Sequence, residues 1–392
     1  MNRDTRLPIR PETLEMIQRL VGFDTTSRES NLGLIEWVRD WLQRLGVESR
    51  LTYDATGAKA NLFATVRKGV RPGIVLSGHT DVVPVDGQPW DTDPFTAALQ
   101  GDRIYGRGAC DMKSYIAAAL AATPRFLAAD LKAPVHLALS YDEEIGCIGV
   151  RGLIEDLERN RIRPAGCIVG EPTGMQPVIA NKGFRSFRCA VRGKEVHSAL
   201  APQGVNAIDY AARLVAHIRA IADRLRDAGP RDAGFDVPFT TLHTGLIRGG
   251  TASNIVPRDC EFHFEIRCLP GADPGELERE IRAYAGDVLE PEMKRIDPDA
   301  GVSFFVKSDT PGLAAAEDER ITALAQALAR DRSTGKVAYA AEAGLFQRAG
   351  IPSIICGPGS IEQAHKPNEY ITLEQVARCE SFMDRLVGAL SR

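Results

Sequence analysis

Four apolar runs, "NLFATVR", "GIVLSG", "VHLALSY" and "GCIVG", punctuate the first half of the chain and limit the folds open to it. Each is short, continuous and mostly apolar, which is the pattern of a strand buried on both faces. Helical segments separate them. "PETLEMIQRLVGF" and "NLGLIEWVRDWLQRLG", the latter closed by Gly46, precede the first run, and the alanine-rich "SYIAAALAATPRFLAA" lies between the second and third. Helices alternating with buried strands predict an α/β domain with a mostly parallel sheet, and such sheets gather their chemistry at the strand ends.

The texture changes near Lys182. "FRSFRCAVRG", "TTLHTGLIRGG" and "CEFHFEIRCLP" alternate like half-exposed strands. With the helices "GVNAIDYAARLVAHIRAIADRLRD" and "DPGELEREIRAYAGDVLEPEM" and the strand "GVSFFVKS", they give the order β-α-β-β-α-β. That order predicts a ferredoxin-like α+β domain over 181–306, inserted into a catalytic domain formed by 1–180 and 307–392. After "SDTPGL" the α/β texture returns with a helix near "ERITALAQALARD", the buried strand "IPSIICG" and a closing helix from Leu373.

Bulk properties exclude several classes. With 392 residues, 44% of them hydrophobic and 26% charged, the chain can bury two cores. A net charge of −4 and the lack of a long basic run argue against a nucleic-acid partner. No stretch is apolar enough for a signal core or a membrane span, so a cytoplasmic protein with no membrane partner is the expectation. Eight scattered cysteines, none in a CxxC pair, read as buried free thiols.

Five segments of the presumed catalytic domain end an apolar stretch with an acid or a histidine. They supply His79 with Asp81, Asp111 in "GRGACDMKS", the run Asp142-Glu143-Glu144, Glu171 in "GEPT", and His365 in "AHKPNEY". Converging on one cleft, such groups are costly without a cation. Histidines and carboxylates without required sulfur ligands suit zinc, cobalt or manganese in a hydrolytic site. Two histidines and three carboxylates exceed what one open tetrahedral zinc needs, and suit two metals sharing a bridging carboxylate. A further carboxylate beside a ligand, as Glu143 is beside Glu144, can take the proton of a water.

"SGHTDVVPV", "GRGACDMKS", "YDEEIG", "GEPT" and "AHKPNEY" resemble, in order and spacing, the motifs of the M20 metallopeptidase family. The resemblance covers nearly the whole chain. Within the family, "HSALAPQGVNAIDYAARLVAHI" and "AAEAGLFQRAGIPSIICGPGSIEQAHKPNEY" look like the bacterial members that deacetylate acetylornithine. It implies two divalent metal ions, zinc or cobalt. His79 and Glu171 would bind one and Glu144 and His365 the other, with Asp111 bridging through a cis peptide to Met112. Asp81 would orient His79, and Glu143 would be the general base. Glutamate at position 171 matches the deacylases and carboxypeptidase-like members, where aminopeptidases carry aspartate.

In the inserted domain the resemblance points to His197 of "GKEVHSA" and Asn254 of "GGTASNIVP" for the oxyanion, and to Arg267 of "FEIRCLP" for a substrate carboxylate. His197 would come from the partner of a homodimer joined through this domain. Gly357 and Gly359 would let a loop bring backbone N–H groups to the same carboxylate, or form a plain turn. Glu342 is a candidate sensor of a positive substrate side chain. His136, His217, His243 and His263 carry no assigned role. The sequence departs from the family at Ser114, where a glycine is frequent, and at Asn181-Lys182, where a histidine often precedes the lysine. The expected reaction is hydrolysis of N-acetyl-L-ornithine to L-ornithine and acetate. Its rivals are the same chemistry on another N-acyl amino acid, with a succinyl, formyl or other acetylated substrate, and a non-catalytic binding protein on the same scaffold. A serine or cysteine hydrolase lacks a GxSxG elbow or a plausible Cys–His pair.

Overall fold

The computed structural model describes residues 8–67 and 71–392, so the first seven residues of the segment 1–180 lie outside the described residues. The chain forms two compact units. One takes the chain up to Ala180 with Leu313–Lys336 and Ala341–Arg392, and the other takes Asn181–Gly312 with Val337–Ala340. The boundary expected at 306/307 moves to 312/313 because the strand Gly301–Thr310 pairs along its length with Gly183–Arg192 and stays with that sheet.

The first unit is built on an eight-stranded sheet. At its centre Val135–Ser140, Ile74–His79, Gly166–Pro172 and Ser353–Gly357 lie side by side in parallel. The margins are antiparallel: Ser49–Tyr53 pairs with Ala60–Val66, which pairs with Val135–Ser140, and Val178–Asn181 pairs with Ser353–Gly357. The central strands are buried throughout, as their continuous apolar runs require. The helix Ser114–Ala128 packs on the sheet and against the helices Pro11–Val21 and Leu373–Leu390. Its alanines bring it close to the strands. A Cβ on Gly170 would stand 2.1 Å from the Tyr115 ring, so glycine is required there.

The second unit is a four-stranded antiparallel sheet in the order Thr241–Gly249, Asp259–Cys268, Gly183–Arg192, Gly301–Thr310. The helices Ala207–Ala228 and Pro274–Tyr284 fill the β-α-β-β-α-β order. Asp259–Cys268 turns Cys260, Phe262, Phe264, Ile266 and Cys268 inward and leaves Glu261, His263, Glu265 and Arg267 half-exposed. Phe187 stacks on Phe264 at 4.7 Å in a core of its own. The long helix starts where Asn206 accepts the N–H groups of Ile208 and Asp209.

All eight cysteines are buried thiols outside any disulfide. Among the described residues no helix is long and apolar enough to cross a membrane.

Candidate metal centre

The parallel centre of the sheet explains why residues far apart in sequence meet. Three neighbouring strands end at one edge, carrying His79, the loop with Glu143 and Glu144, and Glu171, and the loops bearing Asp111 and His365 close over that edge. His79 Nε2 is 3.1 Å from Asp111 Oδ1 and 4.0 Å from Glu171 Oε1. The other Asp111 oxygen, Oδ2, is 3.4 Å from His365 Nε2, which is 3.0 Å from Glu144 Oε2. One carboxylate thus faces a histidine on each side. The peptide from Asp111 to Met112 is cis.

Among the described residues, two overlapping groups have ligand atoms within 4.8 Å of one another: His79 with Glu143 and Glu171, and His79 with Asp111 and Glu144. The electrostatics of the pocket call for positive charge. Burial pushes the Glu143 carboxyl up to about 8, countered in part by His79 and reinforced by Glu144. Burial and the charge of Asp111 also raise Glu144 and Glu171. Against its own burial, Asp111 is held well below the usual carboxylate range by hydrogen bonds from His365 and His79. His365 rises to about 10 through its hydrogen bonds to Asp111 and Glu144. His79 rises well above its ordinary value despite burial, through Asp111 and Asp81. Protons here do what a divalent cation does better. Glu171 Oε1 is buried without a hydrogen-bond partner, and the nitrogen and oxygen donors suit zinc or cobalt.

One expected contact is shared and another is corrected. The nearest acceptor to His79 Nδ1 is the backbone carbonyl of Asp81, at 2.9 Å, with the Asp81 carboxylate 3.5 Å away. A carbonyl only accepts, so Nδ1 carries a proton, and Nε2, which faces Asp111, is the nitrogen that can bind a metal in place of its own proton. The Asp81 carboxylate instead accepts from Ser27 Oγ at 2.8 Å and from the amides of Glu143 and Glu144 at 3.0 and 3.2 Å. It holds the base loop as much as the histidine. The glycine amides are also spent within the protein: Gly357 N–H donates to Thr173 Oγ1 and Gly359 N–H to Gln375 Oε1, both at 3.2 Å. Neither is free to meet a substrate carboxylate.

Other candidates fall into place around these. Glu342 is wholly buried and accepts from the hydroxyls of Ser140 and Ser77, so it braces the strands beneath His79 and does not face a substrate. Burial raises it to about 7. Ser114 opens its helix and bonds back to the Ala109 carbonyl at 2.5 Å. His197, Asn254 and Arg267 belong to the second unit. There His197 is exposed, its Nδ1 accepts from the Ala199 amide at 3.1 Å, and it lies beside Asn254, whose carbonyl accepts from Ser198 N–H at 2.9 Å. Arg267 donates through Nε to Glu265 at 2.8 Å and lies over the Phe184 ring. Lys182 Nζ donates to the Phe239 carbonyl, and Asn181 Nδ2 to the Tyr339 carbonyl at 3.1 Å.

Sequence reasoning missed Glu369 and Arg107, a buried ion pair at 2.7 Å. Their only trace is opposite charge in two of the site motifs, "GRGACDMKS" and "AHKPNEY".

Comparison with known proteins shows the family. The model of "Peptidase family M20/M25/M40" matches residues 75–389. An acetylornithine deacetylase of Myxococcus xanthus is 36% identical over 386 residues, covering 96% of this chain and 97% of its own. That of Pasteurella multocida is 31% identical over 96% of this chain and 98% of its own. Among solved structures, an M20 family metallo-carboxypeptidase from Sulfolobus solfataricus superposes with a TM-score of 0.77 at 19% identity, over 97% of this chain and 99% of that one. A dinuclear metal binding peptidase of the M20 family from Bacillus subtilis gives 0.64 at 16%, over 96% and 97%. The chain belongs to peptidase family M20/M25/M40 and is a metallo-hydrolase acting on amide bonds.

Proposed function

We propose that the chain hydrolyses N-acetyl-L-ornithine to L-ornithine and acetate with two divalent metal ions, zinc or cobalt. The observation that carries the two-metal reading is Asp111, with one oxygen 3.1 Å from His79 and the other 3.4 Å from His365. His79 and Glu171 would hold one ion and Glu144 and His365 the other, with the Asp111 carboxylate between the two histidines. When bound, the ions supply an acidified water and a polarised acyl carbonyl.

The remaining chemistry falls to the chain's own residues. Glu143 takes a proton from the attacking water. The water oxygen bonds to the acyl carbon, the carbon–nitrogen bond breaks, and Glu143 returns the proton to the leaving α-amine. Asp81 keeps Glu143 and Glu144 at fixed positions through their amides. His197 and Asn254 stabilise the oxyanion, and Arg267 holds the α-carboxylate through the guanidinium nitrogens not given to Glu265. The second unit acts as lid and dimerisation domain, with His197 serving the site of a partner copy.

The names of the relatives support acetylornithine as the substrate. The test is ornithine release by the zinc- or cobalt-loaded protein, beside a panel of succinyl, formyl and other acetyl amino acids and a chelated control. Preference for acetylornithine, lost on chelation, is expected. Metal-dependent turnover of another N-acyl amino acid would keep the site and replace the substrate, and silence with metal bound would favour a binding protein.

A further inference from the structure

We infer that a side-chain network of Gln88, Arg107 and Glu369 sets the affinity of the metal site completed by His365, and that these are positioning residues for that site. The inference rests on the two-metal reading above.

Glu369 lies four residues after His365 and is buried with Arg107. Its Oε1 accepts the amides of Cys110 and Asp111 at 2.8 and 3.0 Å, and its Oε2 accepts the Gly108 amide at 3.2 Å and Arg107 Nη1 at 2.7 Å. One carboxylate therefore fixes the backbone on which Asp111 rides. Arg107 reaches the other way: Nη1 also donates to the Lys366 carbonyl at 3.3 Å, and Nη2 to Gln88 Oε1 at 2.6 Å. Gln88 Nε2 completes the path with a hydrogen bond to the His365 carbonyl at 3.1 Å. The network thus grips the backbone of both loops, and the distance from Asp111 to His365 is set between them.

His365 needs such a grip. Its φ is +62°, a left-handed conformation uncommon outside glycine. Asn368, at φ +56°, is left-handed too, and its side chain holds Asp91 from the same loop region as Gln88. His79, by contrast, ends a central strand and takes nothing from Gln88. Loosening the network at Gln88 should therefore spare the His79–Glu171 site and weaken the Glu144–His365 site.

Stepwise Zn²⁺ affinities of the parent, Gln88→Ala and Glu369→Gln, measured by competition with a chromophoric chelator, test this. The visible spectrum of the second Co²⁺ equivalent and the melting temperature of the metal-free protein are recorded alongside. In Gln88→Ala one of the two equivalents should bind about 10-fold or more weakly and the other within about 3-fold of the parent, since outer-shell partners of metal ligands typically carry 10–100-fold in affinity. The metal-free melting temperature should be that of the parent. Glu369→Gln should show a larger loss, with an altered Co²⁺ spectrum. If Glu369→Gln does not fold, Gln88→Ala decides alone. Two equivalents bound by Gln88→Ala with parent affinities, or both weakened in parallel, would overturn the inference and leave the two-metal reading intact. A parent protein that binds fewer than two equivalents would sink that reading, and the inference with it.

Discussion

Glu143 and Glu144 are neighbours in sequence, and their separate proposed roles depend on how the loop is held. Asp142 has φ +54°, and its carboxylate is paired with Lys59. Asp81 takes the next two amides, and Cys147 Sγ donates to Glu143 Oε1 at 3.2 Å. With the loop so fixed, only Glu144 meets His365. Glu143→Ala is therefore expected to keep two bound metals and to lose about 10²–10⁴-fold in kcat, the usual worth of a general base. Turnover and metal content measured on one preparation check this, and loss of a metal equivalent would exchange the two roles. His136 offers a prediction away from the chemistry. It is buried in the strand Val135–Ser140, stacked on Phe63 and bonded to Thr65, and burial lowers its imidazole to about 4. The folded chain keeps it neutral while the unfolded chain protonates it below about pH 6.5, so its contribution is intact above that pH and is lost as pH falls toward 4. Between pH 7.5 and 5 the parent should lose about 2 kcal/mol more than His136→Gln in urea unfolding. An equal loss in both proteins would contradict the assignment. That His79, Asp111, Glu144, Glu171 and His365 lie close together was legible from the five motifs that carry them. Their hydrogen-bond partners were not, because the acceptor of His79 Nδ1 and the amides held by Asp81 are backbone atoms, which no residue type announces.

Close packing of the helix Ser114–Ala128 on the strand Gly166–Pro172 decides where the Glu171 carboxylate stands. Gly170 precedes it, and a methyl there would meet the Tyr115 ring at 2.1 Å. Tyr115 cannot turn aside, being buried with its hydroxyl bonded to the Ile168 carbonyl at 3.1 Å. Gly170→Ala should cost about 1–3 kcal/mol or more and weaken metal binding through Glu171. Gly388, inside the helix Leu373–Leu390, is the counterpart: a Cβ there meets nothing within 4 Å. Gly388→Ala should stabilise by about 0.5–1 kcal/mol through helix propensity and a less flexible unfolded chain. Urea denaturation of both variants beside the parent checks the pair: a gain in Gly170→Ala would mean the contact there is relieved elsewhere, and a loss in Gly388→Ala would contradict the helix argument. The central strands and long helices were legible from continuous apolar runs and helical spacing. Ala98–Gln100, Arg103–Tyr105 and Tyr370–Thr372, which form a small separate sheet, were not, since three residues carry no period. The helix Val150–Arg159 begins without a side-chain cap, so its start carries no signal of its own.

The two units have separate cores, and the main segment of the second, Asn181–Gly312, is inserted into the first. The change of texture near Lys182 made that insertion legible, whereas its end was blurred because Gly301–Thr310 keeps its pairing up to the boundary. The proposed division of labour across copies has a direct consequence. His197→Ala lies in the second unit and Glu143→Ala in the first, and each alone should be nearly inactive. If His197 serves a partner's site, a mixed dimer carries one complete site: the His197→Ala copy supplies Glu143, and the Glu143→Ala copy supplies His197. Random reassortment makes about half of the dimers mixed, so an equimolar mixture should regain up to about a quarter of parent turnover. If His197 works within its own chain, each site in the mixed dimer lacks one of the two groups, and mixing restores nothing. Turnover after subunit exchange, read against each variant alone, separates the two cases, because the same pair of lesions is complementary in one and redundant in the other.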